Sequence, residues 1–259
     1  MRGEDHLTNT PRQIMLLQAL SLNIPAYGHM ALIVGDDGAP LSKRHGSFSI
    51  KGLREAGYFA EALQNYLARV GHSYTNPNFL DMHALASQFS LGRLGKSPAR
   101  YDQTQLKKKK KQALLHISND KLIEWLDAKI QDLVPGEVKL DFIELMRGTI
   151  CFPDEAVQWA TILFSEASAL NFSIETKIFL RKVDLLYWQA LLDLLEQGNA
   201  DFTVLIKQLQ ERLNLKGKAL FAPLRLALTG RHDGPELAKL FFLLGSKKIR
   251  ERIHHAKNL

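Results

Sequence analysis

The chain has 259 residues and a formal net charge of +7, with an isoelectric point near 9.4, a balance that favours an anionic partner. Hydrophobic residues make up 46% of it, enough to bury a core and to exclude wholesale disorder. A single cysteine, Cys151, rules out an internal disulfide and a cysteine-rich zinc site, and no run approaches the about 18–20 apolar residues that span a bilayer. The charged start Met1-Arg2-Gly3-Glu4-Asp5-His6 lacks the apolar segment of a signal peptide, so a reducing, cytoplasmic setting is expected.

Thr10-Pro11-Arg12-Gln13 reads as a helix start, with Thr10 as cap, Pro11 in the first helical position and Gln13 completing a capping box. Ile14, Leu17 and Leu20 share a face, and Asn23-Ile24-Pro25 stops the helix. His29 to Val34 is short, apolar and followed by Gly35-Asp36-Asp37-Gly38, which predicts a strand and a hairpin turn. No other segment carries a convincing strand signal.

Next comes Leu41-Ser42-Lys43-Arg44-His45-Gly46. Two adjacent cations between serine and glycine suit a loop that grips a polyphosphate, through the Lys43 ammonium and backbone N–H groups near Gly46. Taken alone, the same residues also describe a solvated basic turn.

Beyond residue 50 the periodicity is helical. Leu63, Tyr66, Leu67 and Val70 mark a helix from Phe59 to Val70 that stops at Gly71. A looser stretch, Tyr74 to Pro98, holds one short helix around Met82 to Phe89. Five lysines follow, Lys107 to Lys111. They suit either an RNA backbone, through counterion release, or a solvated charge run, and each ammonium is expected to stay in water.

From Asn119 nearly every segment reads as helix. Leu122, Leu126 and Ile130 line one face before Pro135-Gly136. Leu185, Leu192 and Leu195 line another before Gly198-Asn199, and Phe202, Leu205, Ile206 and Leu209 line a third. Helices from Pro235 and from Ser246 meet at Gly245. Trp125, Trp159 and Trp188 have apolar neighbours and read as core rather than as base-stacking platforms. His254-His255, with basic neighbours and no carboxylate at ligand spacing, reads as a solvated basic tail rather than a metal site.

Several motifs occur in one order: Arg2-Gly3-Glu4-Asp5-His6, Asn9-Thr10-Pro11-Arg12-Gln13, the turn, Leu41-Ser42-Lys43-Arg44-His45-Gly46, and Arg54-Glu55-Ala56-Gly57-Tyr58. Ser97-Pro98-Ala99 with Tyr101-Asp102, then Pro223-Leu224-Arg225-Leu226-Ala227-Leu228-Thr229-Gly230-Arg231 and Gly234-Pro235-Glu236-Leu237, continue the series. The whole resembles bacterial glutamyl-tRNA synthetase (glutamate–tRNA ligase), a class I aminoacyl-tRNA synthetase.

The resemblance implies a mainly α fold. Residues 1–50 would be the C-terminal remnant of a Rossmann-like class I catalytic domain with one β-hairpin and the KMSKS-type ATP loop. Residues 51–117 would be stem-contact helices, and residues 118–259 an all-helical anticodon-binding domain. It implies ATP with Mg2+ as substrate, no protein-bound metal, and glutamate and tRNA-Glu as partners. Lys43 would contact the ATP phosphates during adenylate formation, within a loop formed by Leu41, Ser42, Lys43 and Arg44. Arg2 would reach the glutamate carboxylate, a task that suits a planar guanidinium. Asp5 would lie at the edge of that pocket.

Three departures qualify it. Pro40 stands where the family's loop begins with lysine, and the five lysines stand where the family carries an aromatic residue. The family's nucleotide-binding half, with its His-Ile-Gly-His-type motif, would precede Arg2. The expectation is therefore a chain inactive alone in aminoacylation, monomeric or completed by a companion that supplies the other half. Its first 50 residues would expose unpaired strand edges. The alternative is a non-catalytic tRNA-binding fragment or the remnant of a disrupted gene. A generic basic helical adaptor, with protein partners and no tRNA preference, is the third reading.

Overall fold

A computed structural model describes residues 1–41, 49–197 and 201–259. The chain forms two compact units, Met1–His116 and Ile117–Leu259. Ser42, Lys43 and Arg44 of the expected ATP loop, and the expected break at Gly198-Asn199, lie outside the described residues.

The first unit opens with strand β1 (Arg2–Gly3) and helix α1 (Asn9–Ala19). The expected cap is displaced. The helix begins ahead of Thr10, its N-cap is Thr8, and no side chain caps it. Thr10 is instead buried, with its hydroxyl 2.9 Å from the His6 carbonyl and 2.8 Å from His29 Nε2.

The expected strand from His29 to Val34 is also corrected: it is two strands, β2 (His29–Met30) and β3 (Ile33–Val34). β2 pairs in parallel with β1, and β3 pairs in parallel with β4 (Ala99–Arg100). The interruption has a visible cause, because the Leu32 N–H is taken by the Glu4 carboxylate at 3.1 Å. β1 and β4 carried no strand signal, being too short for alternation to register. The turn itself forms, with Gly35 N–H on the Ala39 carbonyl at 2.8 Å and an antiparallel bridge from Val34 to Pro40.

Helix α2 (Ile50–Glu55) is capped by the Ser49 hydroxyl. Helix α3 (Ala60–Val70) packs on α5 (Gln103–Leu114), with the short α4 (Met82–Ser87) beside α3. Leu53, Tyr66 and Leu106 centre this core, with Tyr58, Leu63, Val70 and Tyr101 around them. Asp102 caps α5 through Thr104 and Gln105, and its own N–H donates to the Tyr66 hydroxyl at 2.7 Å.

The lysine run lies on α5, and there the expectation of full solvation fails. Lys109 and Lys110 are buried. Lys110 lies over the Tyr58 ring at 4.6 Å, a cation–π contact that stands in for water. Lys109 donates to the Pro77 carbonyl at 3.2 Å and to Gln112 Oε1 at 2.9 Å. Only Lys107, Lys108 and Lys111 face water.

Every regular element described in the second unit is a helix. Helix α6 (Asn119–Ile130) packs on α7 (Lys139–Arg147) and α8 (Pro153–Phe164), and its Leu122, Leu126 and Ile130 are fully buried. After α9 (Ile174–Arg181), α10 (Leu185–Glu196) packs on α11 (Phe202–Leu213). Helix α12 (Lys218–Thr229) packs on α13 (Leu237–Lys257), which breaks into two arms where Gly245 takes φ 72°. Trp188 is buried in this core, its edge against the Tyr187 ring at 5.2 Å. The C-terminal tail is amphipathic: His254 and Lys257 face water as expected, while Ile253 and Ala256 are buried and His255 stacks on Phe172 at 5.7 Å.

Candidate functional site

Arg2 sits on β1 among four partners in the described residues. Its guanidinium donates to Gln13 Oε1 and Thr10 Oγ1, its Nε lies 3.3 Å from His29 Nε2, and its plane covers the Tyr27 ring at 4.6 Å. None of these partners is a carboxylate. The guanidinium is held in place while its charge stays uncompensated, which suits it to exchange neutral acceptors for an anion. A Cβ on Gly3 would meet the Asp5 carboxylate, which would have to move aside. Asp5 is exposed and lies 3.8 Å from His6 Nε2. Leu41 is held by its N–H on the Ile33 carbonyl at 3.4 Å. The described structure brings Arg2 and Asp5 into one segment; Lys43, Ser42 and Arg44 lie outside it.

A second feature of the same unit is a cleft of about 800 Å³ between α3, the 73–78 loop and α5. Arg69 reaches across the loop, donating to Asn65 Oδ1 at 2.8 Å and to the carbonyls of Asn76 and Asn78. Burial lowers the proton affinity of Lys109, and the nearby Arg69 and Lys108 charges lower it further. Lys108 and Arg100 remain exposed on the cleft wall.

The second unit carries a cleft of about 560 Å³ that sequence reading did not find. Its floor is Trp159 on α8, whose ring lies under the Arg231 guanidinium at 5.1 Å. Arg231 binds Asp233 through two bonds, Nε to Oδ1 at 3.0 Å and Nη2 to Oδ2 at 3.2 Å. That pairing holds the Asp233 carboxyl below its usual range. Gly234 takes φ 130° directly against Trp159, and a Cβ there would overlap the indole ring.

Local sequence chemistry builds this wall. Gly230 ends α12 in the left-handed conformation, and Thr229 Oγ1 accepts the Arg231 N–H at 3.1 Å. Arg225 donates to the Pro235 carbonyl at 2.9 Å, fixing the far side of the turn. Gln158 and Lys239 add donors, while Glu144 and Glu155 also line the cleft. Mixed charge with a planar stack and an exposed amide suits a nucleobase edge better than a bare phosphate. The indole is covered by Arg231, so the stacking face on offer is the guanidinium plane. The signal available in sequence was the Asp233-Gly234-Pro235 turn after Thr229-Gly230-Arg231; nothing in sequence tied it to Trp159.

Comparison with known proteins gives two overlapping family matches. Residues 1–134 match the model for the class I tRNA synthetase (E and Q) catalytic domain, and residues 119–257 match an anticodon-binding domain. The chain belongs to the glutamyl-tRNA synthetase family. Glutamate–tRNA ligase 2 of Nitrosococcus oceani is 49% identical over 98% of the chain and 54% of the relative. Glutamate–tRNA ligase 1 of Methylococcus capsulatus is 44% identical over 98% of the chain and 54% of the relative. The chain thus spans about half the length of these curated relatives. Among solved structures, glutamate–tRNA synthetase from Elizabethkingia anophelis shares the fold, with a TM-score of 0.81 at 24% identity over 100% of this chain and 56% of that one. No described helix is long and apolar enough to cross a membrane.

Proposed function

We propose that the second unit grips the anticodon arm of tRNA-Glu, with the Trp159–Arg231–Asp233 cleft receiving an unpaired base. The observation that carries this reading is the guanidinium plane held between an indole and a carboxylate, inside the region matched to an anticodon-binding domain. A base stacked on such a cationic plane gains about 0.5–2 kcal/mol. The stem-contact role falls to residues 51–117, where exposed Lys108 and Arg100 offer cations to the phosphate backbone.

Residues 1–50 then contribute one side of the site that activates glutamate with Mg–ATP and transfers it to tRNA. In this reading Leu41, Ser42, Lys43 and Arg44 form the ATP loop, Lys43 neutralises charge on the phosphates, Arg2 binds the glutamate carboxylate, and Asp5 borders that pocket. The Arg2 geometry supports its part, since a carboxylate can replace Gln13 and Thr10 as acceptors. Adenylate formation requires the remainder of the relatives' length, on this polypeptide or a companion; the 259 residues alone act as a monomeric tRNA binder in the cytoplasm. A second reading, tRNA binding without catalysis, is favoured by Pro40 in place of the loop's first lysine.

The test is binding of the purified chain to tRNA-Glu and to an unrelated tRNA at near-physiological salt. Preference for tRNA-Glu, reduced about tenfold by Arg231→Ala, is the expected result, given the size of a base-stacking contribution. Equal affinity for both tRNAs would leave the cleft without this role. ATP–pyrophosphate exchange with glutamate, measured with and without the remaining portion of a relative, separates the two readings of the first unit. Exchange restored by that portion and lost in Lys43→Ala supports catalysis.

A further inference from the structure

Arg252, on the second arm of α13, is fully buried, yet its Nη1 and Nη2 donors go to backbone carbonyls rather than to an acid, and its buried Nε has no hydrogen-bond partner. Nη1 donates to the Leu228 carbonyl, in the last turn of α12. Nη2 donates to the carbonyls of Ile162 at 2.6 Å, Leu163 at 3.0 Å and Ser165 at 3.2 Å, at the end of α8. These belong to the carbonyls a helix end leaves without an intrahelical partner, and they carry the negative end of the helix dipole. One planar cation therefore closes two helix ends at once.

Those two ends lead to the two walls of the cleft. Trp159 lies one turn before Ile162 on α8, and the chain runs from Leu228 through Gly230 directly into Arg231. The distance between indole and guanidinium is thus set by two helix ends that share Arg252. Lys248 provides the contrast. Its ammonium also caps α8, through the Leu163 and Phe164 carbonyls at 3.4 and 3.1 Å, with no bond to α12. Burial lowers the Arg252 pKa to about 10, so the guanidinium remains charged at neutral pH.

We propose that Arg252 is a positioning residue for base recognition, holding Trp159 and Arg231 at stacking distance without itself touching RNA. The inference rests on the reading of that cleft as a nucleobase site. Arginine is needed because its diverging nitrogens reach both helix ends, whereas a single ammonium reaches one. Selectivity among anticodon bases then depends on a residue that faces no solvent.

The test uses the whole chain and RNA hairpins carrying the tRNA-Glu anticodon or single-base substitutions of it. Arg252→Lys and Arg252→Gln are compared with Lys248→Met and Arg231→Ala, with thermal unfolding followed in parallel. The expected result is a folded Arg252→Lys protein that loses about tenfold of its preference for the cognate hairpin, the scale of one well-placed base contact. Its affinity for substituted hairpins should stay nearly unchanged, and Lys248→Met should keep the preference. Trp159 fluorescence, isolated by subtracting a Trp159→Phe control, should lose its response to the cognate hairpin in Arg252→Lys. A folded Arg252→Lys or Arg252→Gln protein with full preference overturns the proposal. So does failure of both variants to fold, which would assign Arg252 to stability alone. If Arg231→Ala also keeps full preference, the nucleobase reading of the cleft fails instead.

Discussion

The two units solve the problem of burial differently. In the second unit, every helix from α6 to α13 contributes at least one buried residue, and Leu122, Phe142, Met146, Trp188 and Leu224 are sealed from solvent. In the first unit, α1 buries only Thr10, a polar residue held for its hydrogen bonds, while Met15, Leu16 and Leu20 stay more than 60% exposed. The contrast teaches where stability and where association reside. A helix that leaves its aliphatic side chains in water adds little to folding and offers a surface that an adjoining structure can cover. The self-contained core belongs to the unit that would read RNA.

The largest effect should come from breaking the stronger side of this comparison. Trp188→Ala removes a side chain only 1% exposed and should cost about 3–5 kcal/mol in urea denaturation, as large-to-small core replacements do. A loss below about 1 kcal/mol, the size of an ordinary surface change, would show that the α10 core is not the unit's centre. Gly234→Ala comes next. Its Cβ would enter the Trp159 ring from a backbone at φ 130°, so about 1–3 kcal/mol is expected from overpacking, with loss of cognate RNA preference. Retained stability and preference together would mean that the turn and the indole do not constrain each other.

Legibility in the sequence followed the same divide. Leu122, Leu126 and Ile130 were readable because a helix repeat placed them on one face, and Gly245 because only glycine readily takes its backbone angle. The strands Arg2–Gly3 and Ala99–Arg100 were not, since two residues cannot display an alternation. Lys109 and Lys110 were misread for a different reason. Side-chain type predicts exposure on average, but here the Pro77 carbonyl and the Tyr58 ring decide it. Arg2 was named on resemblance, and its cluster with Thr10, Gln13 and His29 required the fold. The Trp159–Arg231 stack joins α8 to the turn after α12, distant in sequence, and left no periodic trace.

Lys109 gives a pH test confined to the first unit. Burial, with Arg69 and Lys108 nearby, lowers its folded-state proton affinity below that of the unfolded chain. Protonation therefore opposes folding, and the penalty is fully present below the folded-state pKa. It is relieved as pH rises toward the ordinary lysine value of about 10.4. The first unit should gain stability as pH rises toward about 10, where the tyrosines of the unfolded chain begin to ionise while burial keeps Tyr66 and Tyr101 protonated in the fold. In Lys109→Met that upward slope should vanish, while the Pro77 carbonyl loses its donor. An unchanged slope in the variant would assign the effect to another group.

The smallest effect is expected where the comparison is most easily sharpened, at Leu16. It is 62% exposed on α1, so Leu16→Gln removes almost no buried area and should move stability by no more than about 0.5 kcal/mol. The informative readout is association. If α1 presents a surface for an adjoining structure, the variant should weaken the complex formed with the remaining portion of a relative in sedimentation velocity, with unchanged circular dichroism. A destabilisation comparable to that of Trp188→Ala would instead place Leu16 in a folded core and erase the distinction between the units. A neutral change in both stability and association would leave α1 as plain solvated surface, with the first unit's stability carried by the core around Leu53, Tyr66 and Leu106.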